Sequence, residues 1–284
     1  MEYIKSPMNY IGNKYRIMSQ LQKWFPKKIN VMLDLFCGGA DVSINSRANH
    51  IIANDINYYV IDIFQTFQAL GKERTLNYID DTIARWSLSK ENKEAYLEFR
   101  AYYNQSDRNP LDLYVLMCFS FNYQFRFNSK HEYNNPFGAN RSSFNMSMRE
   151  NLEKIFEKIN DIKFDAYSFE KVDVDILRKG DFLYADPPYL LTCGSYNDGK
   201  RGFKGWSEND DRALFEILDH LDRKGIKFAL SNVSEHKGIK HDELLEWKKE
   251  NGYHLHNINF NYNNCNYHTK NSQNVTKEIL ITNY

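Results

Sequence analysis

The chain is expected to fold as an α/β protein: a mostly parallel sheet with helices on both faces, and a mainly helical module inserted into it. Three observations predict this. Short apolar strands alternate with helical stretches. Gly38, Asp55, Asp186 and Ser231, residues able to touch a ligand, each fall where a strand is expected to stop, and wound sheets bind ligands at the carboxyl ends of their strands. Residues 62–148 break the alternation with a texture of their own.

Taken in order, residues 31–36 form an apolar strand that runs directly into Cys37-Gly38-Gly39-Ala40. Glycines there let the backbone approach a ligand closely, a nucleotide-cofactor geometry, but the pattern departs from G-x-G-x-x-G and does not advertise phosphate binding. A second strand at 50–53 ends at Asn54-Asp55-Ile56, which places an acid 17 residues after Gly38. That is close to the ~20 residues at which an acid reaches ribose hydroxyls. A turn glycine pair and a helix-capping aspartate would read the same way.

From about residue 60 to 118 the period is helical, with Ile61, Phe64, Phe67 and Leu70, then Tyr96, Phe99, Tyr102 and Tyr103, read as core stripes. Residues 119–128 then alternate aromatic and polar side chains, and 134–141 form a polar turn. The expected domains are therefore 1–61 with 149–284, and an insert at 62–148. After the insert come a strand near 162–167, a strand at 180–185, a polar loop, a helix at 210–223, and a strand at 226–230 ending at Ser231-Asn232. Two last strands flank an Asn-rich loop at 262–274.

The strand at 180–185 stops at Asp186-Pro187-Pro188-Tyr189. Two prolines fix φ and bias the preceding residues toward extended geometry, so the turn is stiff. It holds a carboxylate, a backbone carbonyl and an aromatic face around one small pocket, which suits a planar exocyclic amine. The lone pair of such an amine is delocalised into its ring. Acceptors on its two N–H bonds, here the Asp186 carboxylate and the Pro187 carbonyl, would draw the nitrogen toward tetrahedral geometry for attack on a methyl sulfonium, with Tyr189 stacked on the ring. Over four residues alone, a simple proline turn after a strand fits equally well.

Composition narrows the classes. At 284 residues with 42% hydrophobic and 15% aromatic side chains, the chain has ample core. No apolar run is long enough for a membrane span and residues 1–5 show no signal segment, so a cytoplasmic protein is expected. Cys37, Cys118, Cys193 and Cys265 stand apart without metal-type spacing, which favours reduced thiols and no metal. A formal net charge of zero excludes a dedicated DNA-coating protein, so any nucleic-acid binding must be local. Local charge exists: Arg126, Lys130, Arg141 and Arg149 face only Glu132 within 120–149.

The order of these motifs resembles the D12-class, Dam-like DNA adenine N6-methyltransferases, across essentially the whole chain. The resemblance rests on Pro7-Met8-Asn9-Tyr10-Ile11-Gly12-Asn13-Lys14, Asp34-Leu35-Phe36-Cys37-Gly38-Gly39, Asn54-Asp55-Ile56 and Asp186-Pro187-Pro188-Tyr189. It implies a class I S-adenosylmethionine-dependent methyltransferase fold, Rossmann-like, with target recognition carried by the insert. It implies that Tyr10, Lys14, Gly38, Asp55, Phe169 and Asp186 serve S-adenosylmethionine, with S-adenosylhomocysteine as product and no metal. Asp186, Pro187 and Tyr189 would be the catalytic group, and Asp186→Ala is expected to abolish turnover while leaving the fold intact.

Within the family the chain looks similar to T-even phage Dam enzymes and to the adenine methyltransferases that accompany asymmetric-site restriction enzymes. That likeness implies a double-stranded DNA substrate contacted by Phe121, Asn122, Gln124, Arg126, Asn128, Pro136, Arg141 and Tyr196. Arg126 would read a guanine, and the loop at 194–206 would close on a flipped nucleotide. Arg141 is offset by one residue after Gly138. A GATC site or an asymmetric GATG-containing site, genetic pairing with a restriction endonuclease, and a monomer are the accompanying expectations. RNA or protein-glutamine methylation on the same core, or a binding protein without catalysis, are the rival readings. The first commonly carries Asn where Asp186 stands, and every catalytic position expected for activity is filled here.

Overall fold

The chain builds its sheet around strands that alternate two buried faces. In the computed structural model, which describes residues 2–192, 205–259 and 276–284, β1 (Val31–Asp34), β2 (His50–Asn54), β3 (Ile162–Asp165), β4 (Phe182–Ala185) and β5 (Lys227–His236) run parallel in the order β3-β2-β1-β4-β5. The short β6 (Ile239–Lys240) folds back on the end of β5. β7 (His254–Asn257) and β8 (Thr276–Thr282) are antiparallel, with β8 seated between β5 and β7.

Around it, in chain order among the described residues, lie α1 (Met18–Trp24), α2 (Asp41–Ile44), α3 (Tyr58–Arg85), α4 (Lys93–Gln105), α5 (Pro110–Phe119), α6 (Met146–Ile155), α7 (Glu208–Arg223) and α8 (Asp242–Glu250). Register sorts the strand residues by face. Met32, Ile51, Phe182, Tyr184, Ala229 and Leu280 share one face, covered by Met18 and Leu21 of α1 and by Phe64 and Phe67 of α3. Leu33, Leu183, Phe228 and Ile281 share the other, under Leu214, Leu218 and Leu221 of α7 and Leu244 and Trp247 of α8. Helices on both faces follow from strands apolar on both sides. Each such buried Leu or Phe contributes roughly 1.5–3 kcal/mol.

Helix α3 joins the sheet to the region at 62–148. Its first half packs on β3: Phe64 stacks on Phe164 at 4.7 Å, and Gln65 donates to the Phe164 carbonyl at 2.9 Å. At Gly71 the helix breaks, with φ 73°, a conformation open to glycine at little cost. Beyond it the chain turns to α4 and α5. Helix α5 starts at the Asn109 cap with Pro110 in its first turn, and its residues from Leu111 to Phe119 are all buried. An all-round apolar helix belongs at the centre of a bundle.

Several sequence expectations are corrected. The strand expected to end at Ser231-Asn232 runs on to His236, because β8 bonds it from Ala229 through His236 after β4 has ended. Ser231 therefore lies within β5, and its hydroxyl meets the Tyr184 hydroxyl at 2.8 Å. Tyr102 is not a core residue: it is 48% exposed and packs its ring on Trp86 at 5.2 Å. Helix α8 was not anticipated, since its cap is His241 and not one of the usual capping residues.

Candidate active site

The carboxyl ends of β1, β2 and β4 open onto a cavity of about 310 Å³. Among the described residues its lining includes Asp34, Asp41, Asp55, Glu170, Asp186 and Asp210 against Lys14 as the one basic side chain. Such a wall favours a cationic guest.

The turn after β1 is built by backbone approach. Gly38 has φ 48° and lies so close to Tyr10 that a Cβ there would come within 2.8 Å of the tyrosine ring. Asp55, at the end of β2, fastens this turn: one carboxylate oxygen accepts from Gly38 N and the other from Asn57 N, both at 2.8 Å. Burial pushes the Asp55 carboxyl up from its ordinary range.

Asp186 is held from two sides. Lys14 Nζ pairs with its Oδ2 at 2.7 Å and the Tyr189 hydroxyl donates to its Oδ1 at 2.8 Å. Lys14 is 5% exposed and also donates to the Gly12 carbonyl at 2.8 Å. Its ammonium lies 5.2 Å from the centre of the Tyr189 ring. Burial and the Asp186 carboxylate push the Tyr189 phenol far up, so the hydroxyl remains a donor. A carboxylate has about four lone-pair sites, so Asp186 keeps acceptor capacity on both oxygens.

Part of the cavity wall is an aromatic cluster. Phe169 is buried, with Phe36 at 5.4 Å and Trp206 at 5.3 Å between ring centres. Tyr10, Lys14, Gly38, Asp55, Phe169, Asp186, Pro187 and Tyr189 thus all line one cavity.

The segment expected to meet DNA forms a separate surface. Bridges at Ser120 with Phe137 and at Phe127 with Tyr133 close a hairpin-like excursion. Phe121, Asn122, Pro136 and Arg141 are exposed on it, while Gln124 and Arg126 are half-buried. Asn128 builds the tip: its side-chain oxygen accepts from Lys130 N and Glu132 N, and its amide donates to Glu132 Oε2. The Asn9 amide donates to the Asn122 carbonyl at 2.9 Å, joining this surface to the segment that carries Tyr10 and Lys14. Tyr196 and most of the loop at 194–206 lie outside the described residues.

Of the lining residues missed in the sequence, Asp34 and Trp206 matter most. Asp34 is 1% exposed; its Oδ2 accepts from Ser43 Oγ at 2.6 Å, and its Oδ1 has no partner among the described residues. Burial pushes its carboxyl up to about 7, aided by the nearby charges of Asp186 and Asp55. The signal was present, since Asp34 opens the same six-residue segment as Gly38. Trp206 had only a loop-end position to mark it. Among the described residues no group of three or more His, Cys, Asp and Glu side chains could hold a metal ion, and no helix is long and apolar enough to cross a membrane.

Known proteins are similar to this chain in sequence. The chain is 46% identical to the Type II methyltransferase M.FokI of Planomicrobium okeanokoites, over 99% of its own length and 43% of the relative's. It is also 46% identical to the modification methylase StsI of Streptococcus sanguinis, over 100% of its own length and 43% of that relative's. The chain thus spans less than half the length of these two relatives. Against the DNA adenine methylase of Haemophilus influenzae it is 28% identical, over 79% of this chain and 78% of the relative. The family profile described as D12 class N6 adenine-specific DNA methyltransferase matches residues 10–273, from the Tyr10 that packs on Gly38 to beyond the carboxylate at the end of β4. With motif order, sheet and cavity in agreement with that match, the chain belongs to the D12 class of N6 adenine-specific DNA methyltransferases.

Proposed function

We propose that this protein transfers a methyl group from S-adenosylmethionine to N6 of an adenine flipped out of double-stranded DNA. The observation that carries this is Asp186, oriented by Lys14 and Tyr189 at the edge of an acid-lined cavity in a chain of this family. S-adenosylmethionine supplies an electrophilic methyl on a sulfonium. The residues fit it: the unpartnered Asp34 Oδ1 suits an ammonium, Asp55 suits ribose hydroxyls, and the Phe36, Phe169 and Trp206 rings suit an adenine.

Catalysis then needs few parts. Asp186 and the Pro187 carbonyl would accept the two N–H bonds of the target amine and free its lone pair from conjugation, while a bound S-adenosylmethionine would supply the methyl and leave as S-adenosylhomocysteine, its methyl–sulfur bond broken. Asp186 is the first acceptor for the proton that the nitrogen sheds. Tyr189 and Lys14 hold the carboxylate in place. Residues 62–148 carry target recognition, with the excursion at 120–141 entering the major groove. The names of the relatives make a restriction-modification setting, with an endonuclease as genetic partner, the fitting context. A monomer acting in the cytoplasm completes the reading.

The test is transfer of labelled methyl to unmethylated DNA, with modified bases mapped by sequencing. N6-methyladenine confined to one short motif, GATC or a GATG-containing site, supports the reading. Label appearing only in RNA or protein would move the substrate assignment to the rival class.

Asp34 gives a prediction in pH. Its folded-state pKa of about 7 lies above its ordinary 3.8. The folded protein therefore binds the extra proton between those values, and Asp34's contribution to stability falls as pH rises through that window. A bound ammonium favours the ionised form, so affinity for S-adenosylhomocysteine should rise from pH 5 toward 7 with proton release. Calorimetry in buffers of different ionisation enthalpy checks this. Asp34→Asn should flatten the upper part of the profile, and an unchanged profile would remove Asp34 from the ammonium site.

Arg126→Ala should cost ~1–3 kcal/mol at one guanine, the worth of a bidentate contact, with little loss on unrelated sequence. Binding to single-base variants of the mapped site measures it. Equal weakening on every sequence would make Arg126 a phosphate contact.

A further inference from the structure

One buried Asp–His pair has no part in the chemistry above. Asp211, in the first turn of α7, is 0% exposed, and His241, at the cap of α8, is 3% exposed. Their side chains meet at 2.9 Å, His241 Nε2 to Asp211 Oδ2. The other carboxylate oxygen, Oδ1, accepts the indole N–H of Trp206 at 2.8 Å. Trp206 stands edge-on to Phe36 at 5.6 Å and beside Phe169 at 5.3 Å, and all three line the cavity.

The tautomer follows from the cap. Leu244 N donates to His241 Nδ1 at 3.4 Å, so Nδ1 must offer a lone pair. The ring proton then sits on Nε2 and is donated to Asp211. Asp211 thus accepts two N–H bonds, one from the backing histidine and one from the cavity ring. An indole anchored through its one N–H to a carboxylate that is itself held cannot rotate about its side-chain torsions without losing a buried hydrogen bond. A tie between α7 and α8 alone would need no tryptophan, and apolar residues would serve it.

We propose that the Asp211–His241 pair is a positioning device that fixes the Trp206 ring as a wall of the cofactor's adenine subsite, making Asp211 and His241 determinants of affinity for the adenine end of the cofactor. The assignment rests on the cofactor reading above. It assigns the effect of both residues to the adenosine half of the cofactor, without direct contact with Asp186. Asp211→Asn leaves one acceptor oxygen for two N–H donors, so the Trp206 bond, the His241 bond or, after a tautomer change, the α8 cap is lost. His241→Asn keeps a good capping residue for α8 but is too short to reach Asp211 as the imidazole does.

The experiment is titration of the full chain, wild type and variants, with S-adenosylhomocysteine and separately with adenosine, followed by calorimetry and by tryptophan emission. Wild type should bind both ligands and change its emission on binding, and Trp206→Phe should abolish most of that change. Asp211→Asn and His241→Asn should weaken both ligands by the same factor, about tenfold, with a red-shifted ligand-free emission. If Asp211→Asn does not fold, His241→Asn carries the test. Wild-type adenosine affinity and emission in a folded His241→Asn, with only its melting temperature lowered, would overturn the proposal and leave the pair a tie between helices. Failure of wild type to bind either ligand would overturn the cofactor reading and this proposal with it, a result distinct from the former.

Discussion

Asp186→Asn is expected to reduce methyl transfer by about a hundredfold or more, in line with loss of one preorganised acceptor or donor at a reacting centre. Asparagine keeps the shape and one acceptor oxygen, but its amide end turns donors toward either the Lys14 ammonium or the target amine. Asp186→Ala should lose turnover as well, yet it is not a clean probe. Removing the carboxylate leaves the Lys14 ammonium, 5% exposed, with the Gly12 carbonyl as its acceptor among the described residues. Breaking such a pair from one side costs about 3 kcal/mol or more, so the fold is not expected to be indifferent to that change. Single-turnover transfer beside thermal unfolding separates the two effects. A folded Asp186→Asn protein with near-normal turnover would remove Asp186 from the chemistry.

The second large effect is expected at Gly38. An alanine there must hold φ near 48°, at ~1–2 kcal/mol for an L residue in that region. It must also push back the Tyr10 ring, whose nearest atoms would lie 2.8 and 2.9 Å from the new methyl. Tyr10 belongs to the cavity wall, so its displacement should weaken S-adenosylhomocysteine more than tenfold, beyond any loss of melting temperature. Gly225 offers the control. Its φ of 70° carries the same backbone strain, but a Cβ there meets nothing within 4 Å and it lies at the far end of α7. Gly225→Ala should lower stability and leave ligand affinity alone. Equal affinity loss in both variants would show that strain, and not the Tyr10 contact, governs the site.

Much of this was legible in the sequence because strand ends carry chemistry. The glycine turn, the acid after β2 and the tetrapeptide after β4 each announce themselves locally, and parallel pairing then brings them to one edge. What was illegible depends on partners remote in sequence. Ser231 was read as a strand end, and its parallel neighbour does stop there; only the antiparallel β8, some 50 residues on, extends the strand. Asp34 lay inside a recognised segment, yet nothing local says that one of its oxygens is left unpartnered. Lys14 was expected at the cofactor, and the structure adds a direct ion pair with Asp186, a contact across 172 positions that periodicity cannot show. The Trp206, Asp211 and His241 chain has the same origin, since the two helices meet only when the sheet has closed.

The pairing of β1 with β4 bears on how the chain is made. Asp34 and Phe182 belong to adjacent strands but are 148 positions apart. At about 5–20 residues per second, a ribosome needs roughly 7–30 s to cover that interval. Through it β1 can pair with β2 on one side, while its other edge waits with open N–H and C=O groups. Asp186 and its Lys14 partner cannot meet until still later. A nascent chain therefore acquires its helical segment α3–α5 before the residues of the candidate site can assemble, and any interruption of synthesis before β4 yields a product with an exposed central strand. Chaperone dependence should thus concentrate in the interval between residues 34 and 182, and ribosome profiling with chaperone pull-down would locate it there.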